Sequence, residues 1–112
     1  MNARAPVFPE NPAMRLTSDQ VQAIKMAARH VPGEDAHVTL FGSRVSDQLR
    51  GGDLDLLFET PHTLENRLAM QDQLYVALIR QLGDRKIDLL LKDAHTPEAP
   101  VMRVARETGV RL

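Results

Sequence analysis

The feature that most constrains this fold is an apolar run that opens with two aspartates at alternate positions. Residues 53–58 read Asp-Leu-Asp-Leu-Leu-Phe. Side chains alternate between the two faces of a β-strand, so Asp53 and Asp55 would point one way and Leu54 the other. Two like charges at that spacing repel each other. Because a hard divalent cation with oxygen ligands stabilises such a pair, the stretch predicts a strand with a metal-binding face.

A second feature lies just upstream, where the apolar run 38–41 stops at Gly42 and Ser43. A glycine lets the backbone approach a ligand closely, and the N–H groups that open a helix bind anions. Ser43 adds a hydroxyl donor, and Arg44 adds a bidentate donor for phosphate. A Gly-Ser pair alone also suits an ordinary strand-to-helix turn, and the P-loop pattern is absent. The turn is therefore a candidate phosphate site.

A third acid interrupts another apolar run. Asp88 lies within residues 86–91, Lys-Ile-Asp-Leu-Leu-Leu. It is a candidate third metal ligand, and the alternatives are an acid at a strand end or a salt bridge to a neighbouring base such as Arg85. Asp84 and Asp93 fit a metal site less well, because both lie at the ends of predicted elements.

The apolar spacing predicts the order helix, strand, short helix or turn, strand, helix, strand, helix. Strands are expected over residues 36–41, 53–59 and 86–92, with the short helix or turn over residues 43–48. Short strands that alternate with helices predict an α/β (α+β) fold, in which helices flank a small mixed sheet of three to four strands. Residues 1–13 contain three prolines and no periodicity, so we expect an extended or disordered arm before a single domain over residues 14–112.

Three helices have recognisable starts or stripes. Thr17 and Gln20 form a capping-box pattern for the first, which Pro32 ends. The next helix is expected from near Thr63, and the last from Thr96 as N-cap to about residue 107, with Gly109 as its C-cap. An apolar stripe on the middle helix predicts core packing by Leu64, Leu68, Gln71, Tyr75, Leu78 and Leu82. The alternative is that the stripe extends into a partner surface, with Tyr75 as its first candidate residue.

Composition excludes several classes of protein. The chain has 112 residues, a net charge of −1 and no cysteine. It therefore carries no basic surface for direct nucleic-acid binding, no disulfide and no thiolate metal site. No apolar run approaches the length of a membrane span, and the first residues lack a signal-peptide pattern. We expect a cytoplasmic protein with no membrane contact.

The three features together are more specific than any one of them. A phosphate-binding turn, two acids on one strand and a third acid on a later strand are what a two-metal phosphoryl or nucleotidyl transfer requires. In such sites two ions about 3.5–4 Å apart orient the triphosphate and activate the attacking hydroxyl. Magnesium suits this role because it takes few protein ligands and completes its shell with substrate phosphates.

The segment Phe41-Gly42-Ser43-Arg44 with Gly52-Asp53-Leu54-Asp55-Leu56 resembles the Gly-Ser…Asp-x-Asp signature of the nucleotidyltransferase superfamily that includes DNA polymerase beta. It is most similar to the minimal (MNT) branch, whose members pair with HEPN-domain proteins. The resemblance covers about residues 16–112. Nine residues separate Ser43 from Asp53 where ten are usual, so a different loop shape is expected.

The resemblance implies a role for each residue of the motif. Gly42 and Ser43, with Arg44, would hold the nucleotide phosphates, and Asp53 and Asp55 would bind two magnesium ions. Asp88 would complete the metal site and accept the proton of the attacking hydroxyl. The fold implied is the nucleotidyltransferase fold. The activity implied is transfer of a nucleoside monophosphate, AMP from ATP above all, with release of pyrophosphate.

The resemblance also implies a partner. Larger family members carry a helical domain that holds the acceptor, so a small HEPN-type helical protein is expected to supply it. The chain would then be the antitoxin of a toxin–antitoxin pair and would silence its partner by AMPylation. Two alternatives stay open: a non-catalytic antitoxin that neutralises its partner by binding, and a transferase that modifies a small molecule.

Overall fold

Three helices and four strands make up the part of the chain that the computed structural model describes, residues 16–41, 54–83 and 86–112. In chain order they are α1 (Ser18–His30), β1 (His37–Phe41), β2 (Leu54–Glu59), α2 (Arg67–Leu82), β3 (Ile87–Lys92), α3 (Pro100–Thr108) and β4 (Val110–Arg111). The predicted arm over residues 1–13 and the predicted short helix or turn over residues 43–48 lie outside the described residues. No helix of the described part is both long enough and apolar enough to cross a bilayer.

The four strands form one mixed sheet in the order β3-β2-β1-β4. Strand β1 pairs antiparallel with β2 and with β4, and β2 pairs parallel with β3. A parallel pair needs a long crossover, which α2 provides between β2 and β3. The predicted class, a small mixed sheet flanked by helices, is confirmed.

Strand β2 separates two apolar clusters because its side chains alternate between the faces of the sheet. Leu54, Leu56 and Phe58 are fully buried on one face, where they pack with residues of α1 and α2. Leu57 is buried on the other face, in a smaller cluster with Phe41 and the α3 residues Met102 and Ala105. Two helices therefore cover one face, and α3 packs on the other.

The first helix starts as the sequence predicts. The Thr17 hydroxyl accepts a hydrogen bond from the Gln20 backbone N–H at 3.1 Å, and the Thr17 N–H donates to the Gln20 side chain at 3.0 Å. This reciprocal pair is the predicted capping box, and it satisfies two N–H groups that have no partner within the helix.

The second helix differs from its prediction in start and in buried face. It begins at Arg67, with the Asn66 side chain capping it through the Ala69 N–H at 3.1 Å, and not near Thr63. Its buried residues are Leu74, Leu78 and Leu82. Leu68 and Tyr75, which the stripe predicted to be core residues, are 67% and 41% exposed. The predicted stripe included residues from two sides of the helix, and only one of those sides packs against the sheet.

The third helix also begins later than predicted. Its N-cap is Ala99 and its proline at the first turn is Pro100, because Thr96 uses its hydroxyl to bond Asp93 instead. Gly109 ends the helix as predicted, and its position is crowded. A Cβ there would lie 2.6 Å from the carbonyl oxygens of Ala105 and Leu40, so the lack of a side chain lets the chain turn directly into β4.

Candidate functional site

Two of the three predicted acids lie directly opposite each other on neighbouring strands. Asp55 of β2 and Asp88 of β3 are register partners in the parallel pair. Paired strands lie about 4.8 Å apart, and partners in register point to the same face of the sheet. The two carboxylates therefore project side by side, close enough for oxygens of both to reach one ion.

The polarity of the two faces supports this orientation. Leu54 is fully buried in the cluster below α1 and α2, so Asp55 projects to the opposite face, as predicted. Asp55 is partly buried there, and Asp88 is exposed. The backbone N–H of Leu54 donates to the Lys86 carbonyl at 2.9 Å, which fixes the register at the start of both strands.

Gly42, Ser43, Arg44 and Asp53 lie outside the described residues. The sheet nevertheless places both neighbours of the segment 42–53 beside Asp55. Phe41, the residue before the segment, is the register partner of Asp55 in the antiparallel pair, and Leu54, the residue after it, precedes Asp55 in β2. The two described residues that flank the segment therefore both lie at this end of the sheet.

Asp88 also borders a cleft of roughly 450 Å³ along the outer edge of β3. Residues 87–90 form one wall, and α2 forms the other with Gln71, Asp72 and Tyr75. β3 is an edge strand of the described sheet, and the Asp88 side chain is exposed. Asp88 is accordingly within reach of a dissolved ion or ligand.

The second acid of β2, on the same face as Asp55, already has a partner. Glu59 lies four residues after Asp55, and its carboxylate accepts hydrogen bonds from Arg106 at 3.2 and 3.4 Å. Arg106 also pairs with Glu98, and its hydrogen bonds lower the pKa of Glu98 below the usual value. The pKa of Arg106 is raised by the same hydrogen bonds. This cluster fastens α3 to the sheet and removes Glu59 from the candidate metal ligands.

Asp93 is the one buried carboxylate of the described residues, with 5% of its surface exposed. It accepts hydrogen bonds from the Leu64 N–H at 2.9 Å, the His95 N–H at 3.0 Å and the Thr96 hydroxyl at 2.7 Å. These bonds, led by that from Leu64, lower the pKa of Asp93 from 3.8 to about 2. Asp93 therefore holds two loops together, the one before α2 and the one after β3.

Sequence reasoning placed Asp93 correctly at an element end but missed its structural role. The available signal was Thr96, three residues downstream, since an aspartate followed by a hydroxyl residue is typical of a hydrogen-bonded turn. The bond to Leu64 spans 29 residues and has no local signature. The bonds to Leu64, His95 and Thr96 occupy most of the roughly four acceptor positions of this buried carboxylate, so it is a poor candidate for a metal ligand.

The donors present fit a hard cation with few protein ligands. Asp55 and Asp88 offer carboxylate oxygens on one face at an open end of the sheet, which is the donor type magnesium prefers. No group of three potential ligands comes together among residues 16–41, 54–83 and 86–112, and the predicted third ligand, Asp53, lies outside them. The described structure thus contributes two of the three predicted ligands.

Comparison with known proteins leaves the family as a prediction. No family model matches the chain, and no curated protein matches it significantly.

Proposed function

We propose that the chain is a magnesium-dependent nucleotidyltransferase. The observation that carries the proposal is the register of Asp55 and Asp88, which sets two carboxylates side by side on one face of the sheet. Neighbouring carboxylates on one face are the oxygen ligands that a hard divalent cation prefers, and a cation held there could also bind the phosphates of a substrate.

The proposed roles follow the position of each residue. Asp55 and Asp88 would hold magnesium together with Asp53, and Asp88, which is more exposed than Asp55, accepts the proton of the attacking hydroxyl. Gly42, Ser43 and Arg44 bind the triphosphate, since they directly follow Phe41, which is the register partner of Asp55. Magnesium, when bound, would neutralise phosphate charge and polarise the reacting phosphoryl group.

The proposed reaction moves AMP from ATP to a hydroxyl group. The hydroxyl oxygen bonds to the α-phosphorus, the bond from that phosphorus to pyrophosphate breaks, and the hydroxyl proton passes to Asp88. Asp55 would serve as a metal ligand and not as a proton acceptor. Asp88 combines both roles because it is solvent-exposed and can release the proton to water.

The proposed acceptor is a partner protein, and the proposed setting is a cytoplasmic toxin–antitoxin pair. By the resemblance of its motif, the chain would be the antitoxin and a HEPN-type helical protein the toxin. Silencing would occur by AMPylation of a hydroxyl on that partner. A binding-only antitoxin and a small-molecule transferase are the outcomes against which this proposal is tested.

The test begins with nucleotide binding by the isolated chain. ATP labelled at the α-phosphate is titrated with and without magnesium, using wild type, Asp55→Asn and Asp88→Asn. We expect magnesium-dependent binding that both variants weaken by about tenfold or more, since each removes a carboxylate ligand. Asp72→Asn is the matched control, because Asp72 borders the same cleft as Asp88 but belongs to α2. Equal ATP binding by all four proteins would contradict the proposal.

Transfer is then measured with the protein encoded next to this chain. Label on that protein, lost in Asp55→Asn and Asp88→Asn, supports AMP transfer. Neutralisation of a toxic partner by both variants without label would instead establish a binding-only antitoxin. Label on a small hydroxyl compound and not on protein would establish the small-molecule transferase.

A further inference from the structure

The outer surface of the helix layer carries a groove that the candidate metal site does not use. It lies between the C-terminal halves of α1 and α2 and has a volume of roughly 400 Å³. Its lining includes Ala23, Met26, Ala27, His30, Ala77 and Arg80. Asp55 and its register partner Asp88 project from the opposite face of the sheet. A ligand can therefore bind in this groove without contacting the proposed nucleotide site.

The floor of the groove is apolar, and several of its side chains are small. Three of its residues are alanines, which allow the backbone of another element to approach closely. Met26 is 45% exposed, and Val76, on the adjoining turn of α2, is 48% exposed. Methionine adapts its shape to a partner and is common on binding surfaces. The floor therefore suits the apolar stripe of a helix.

The rim of the groove is basic. Arg80 and His30 line it, and Arg29 reaches it through a contact of 3.7 Å from its guanidinium to the Met26 sulfur. All three lie in the last turn of a helix, where a cation complements the helix dipole. Neither arginine forms an ion pair with a carboxylate within residues 16–41, 54–83 and 86–112, and no acid lines the groove there.

We infer that this groove binds an acidic amphipathic helix of a partner protein. An apolar floor selects leucine-like side chains at helical spacing, and the two arginines on the rim select glutamate or aspartate on the flanks of the same helix. The charges argue for this occupant over a symmetric dimer, in which a second copy of this chain would bring the same basic rim to the contact and would be repelled. The bound helix would lie along α1 and α2 as a third helix of that layer.

Methionine-methyl NMR tests this inference on the full chain. The probes are helical peptides of about 14 residues, roughly four turns, with leucines at positions i, i+3, i+4 and i+7. One peptide carries glutamates on both flanks, and the other carries lysines. We expect the glutamate peptide to shift the Met26 methyl signal in a salt-sensitive way. Met102 belongs to α3 and is buried against the other face of the sheet. Its methyl signal should therefore not shift, and it serves as an internal control.

Two variants make the test specific. Met26→Glu is expected to weaken binding of the glutamate peptide by at least about tenfold. Val104→Glu is its matched control, because Val104 is a 54% exposed apolar residue on α3, across the sheet, and its substitution should leave binding unchanged. The double variant Arg29→Glu/Arg80→Glu should reverse the preference, so that the lysine peptide binds better.

Several results would overturn the inference. Equal binding of the two peptides to wild type would show that the rim does not select acids, and a Met26 signal unmoved by the glutamate peptide would show that no such helix binds. Self-association that Met26→Glu abolishes would assign the groove to a second copy of the chain. Circular dichroism of each variant verifies folding, and if Met26→Glu unfolds, the charge reversal decides the question.

Discussion

The two ends of β3 carry aspartates with opposite environments. Asp88, the second residue of the strand, is exposed and lies beside Asp55. Asp93, one residue past the strand, is 5% exposed and accepts three hydrogen bonds. Saturation by donors makes Asp93 a structural residue, whereas proximity to a second carboxylate makes Asp88 a candidate ligand. The role of an acid in an apolar run therefore depends on the groups that surround it and not on its burial alone.

The largest expected effect separates the two aspartates by activity. Asp88→Asn removes one negative charge from the proposed metal site and should reduce AMP transfer by about 1,000-fold or more, because a bound ion contributes several kcal/mol to the transition state. Asp93→Asn should retain transfer close to wild type for each folded molecule. Single-turnover transfer from labelled ATP measures both. A fully active Asp88→Asn would remove Asp88 from the site.

The second effect separates them by stability. Asp93→Ala leaves three donors without their acceptor and should lower the free energy of unfolding by about 3 kcal/mol. Asp88→Ala should change it by no more than about 0.5 kcal/mol, since the residue is exposed. Urea denaturation measures both values. A larger loss in Asp88→Ala than in Asp93→Ala would reverse the assignment of the two roles.

The third effect is a dependence on acid. The pKa of Asp93 is lowered from 3.8 to about 2 on folding, so the unfolded chain takes up the proton first as the pH falls. The shift stabilises the fold by about 2 kcal/mol above pH 4, and this contribution is lost as the pH falls toward 2. Urea unfolding is measured at several pH values between pH 5 and pH 2.5. As the pH falls, the free energy of unfolding should decrease less steeply in Asp93→Asn than in wild type. The same pH dependence of the free energy of unfolding in both proteins would exclude Asp93 as the source of the acid sensitivity.

The smallest effect is stabilisation by the metal. Magnesium at ten times its dissociation constant should raise the free energy of unfolding by about 1.4 kcal/mol, because it binds the folded chain. Asp88→Asn should lose this gain, and Asp93→Asn should keep it. Thermal unfolding with and without magnesium measures the difference. A gain that survives in Asp88→Asn would place the ion elsewhere.

Local patterns predicted the elements well where one residue determines a boundary. The capping box of Thr17 and Gln20, the strand starting near Leu54 and the orientation of Asp55 away from the core all follow from neighbouring residues. The start of α2 does not. Residues between Thr63 and Asn66 are held by the bond from Leu64 to Asp93, and nothing in the local sequence signals that partner.

The candidate site divides in the same way. The presence of acids on two strands could be read from the sequence, because an acid in an apolar run is visible there. Their register could not, since the alignment of β2 with β3 depends on the length of the crossover and on how α2 packs. The bond of Arg106 to Glu59 spans 47 residues, so the pairing of Glu59 with an arginine could not be predicted from the sequence either.

The turn at Gly109 has a consequence for the order in which the chain folds during synthesis. It directs β4 onto β1, where Thr39 pairs with Arg111 and the Leu112 N–H donates to the Val38 carbonyl at 3.0 Å. These contacts join residues more than seventy positions apart, so this edge of β1 cannot pair with β4 until residues 110–112 have left the ribosome. Until then β1 presents an unpaired strand edge to other chains, which makes the nascent chain prone to aggregation over that interval.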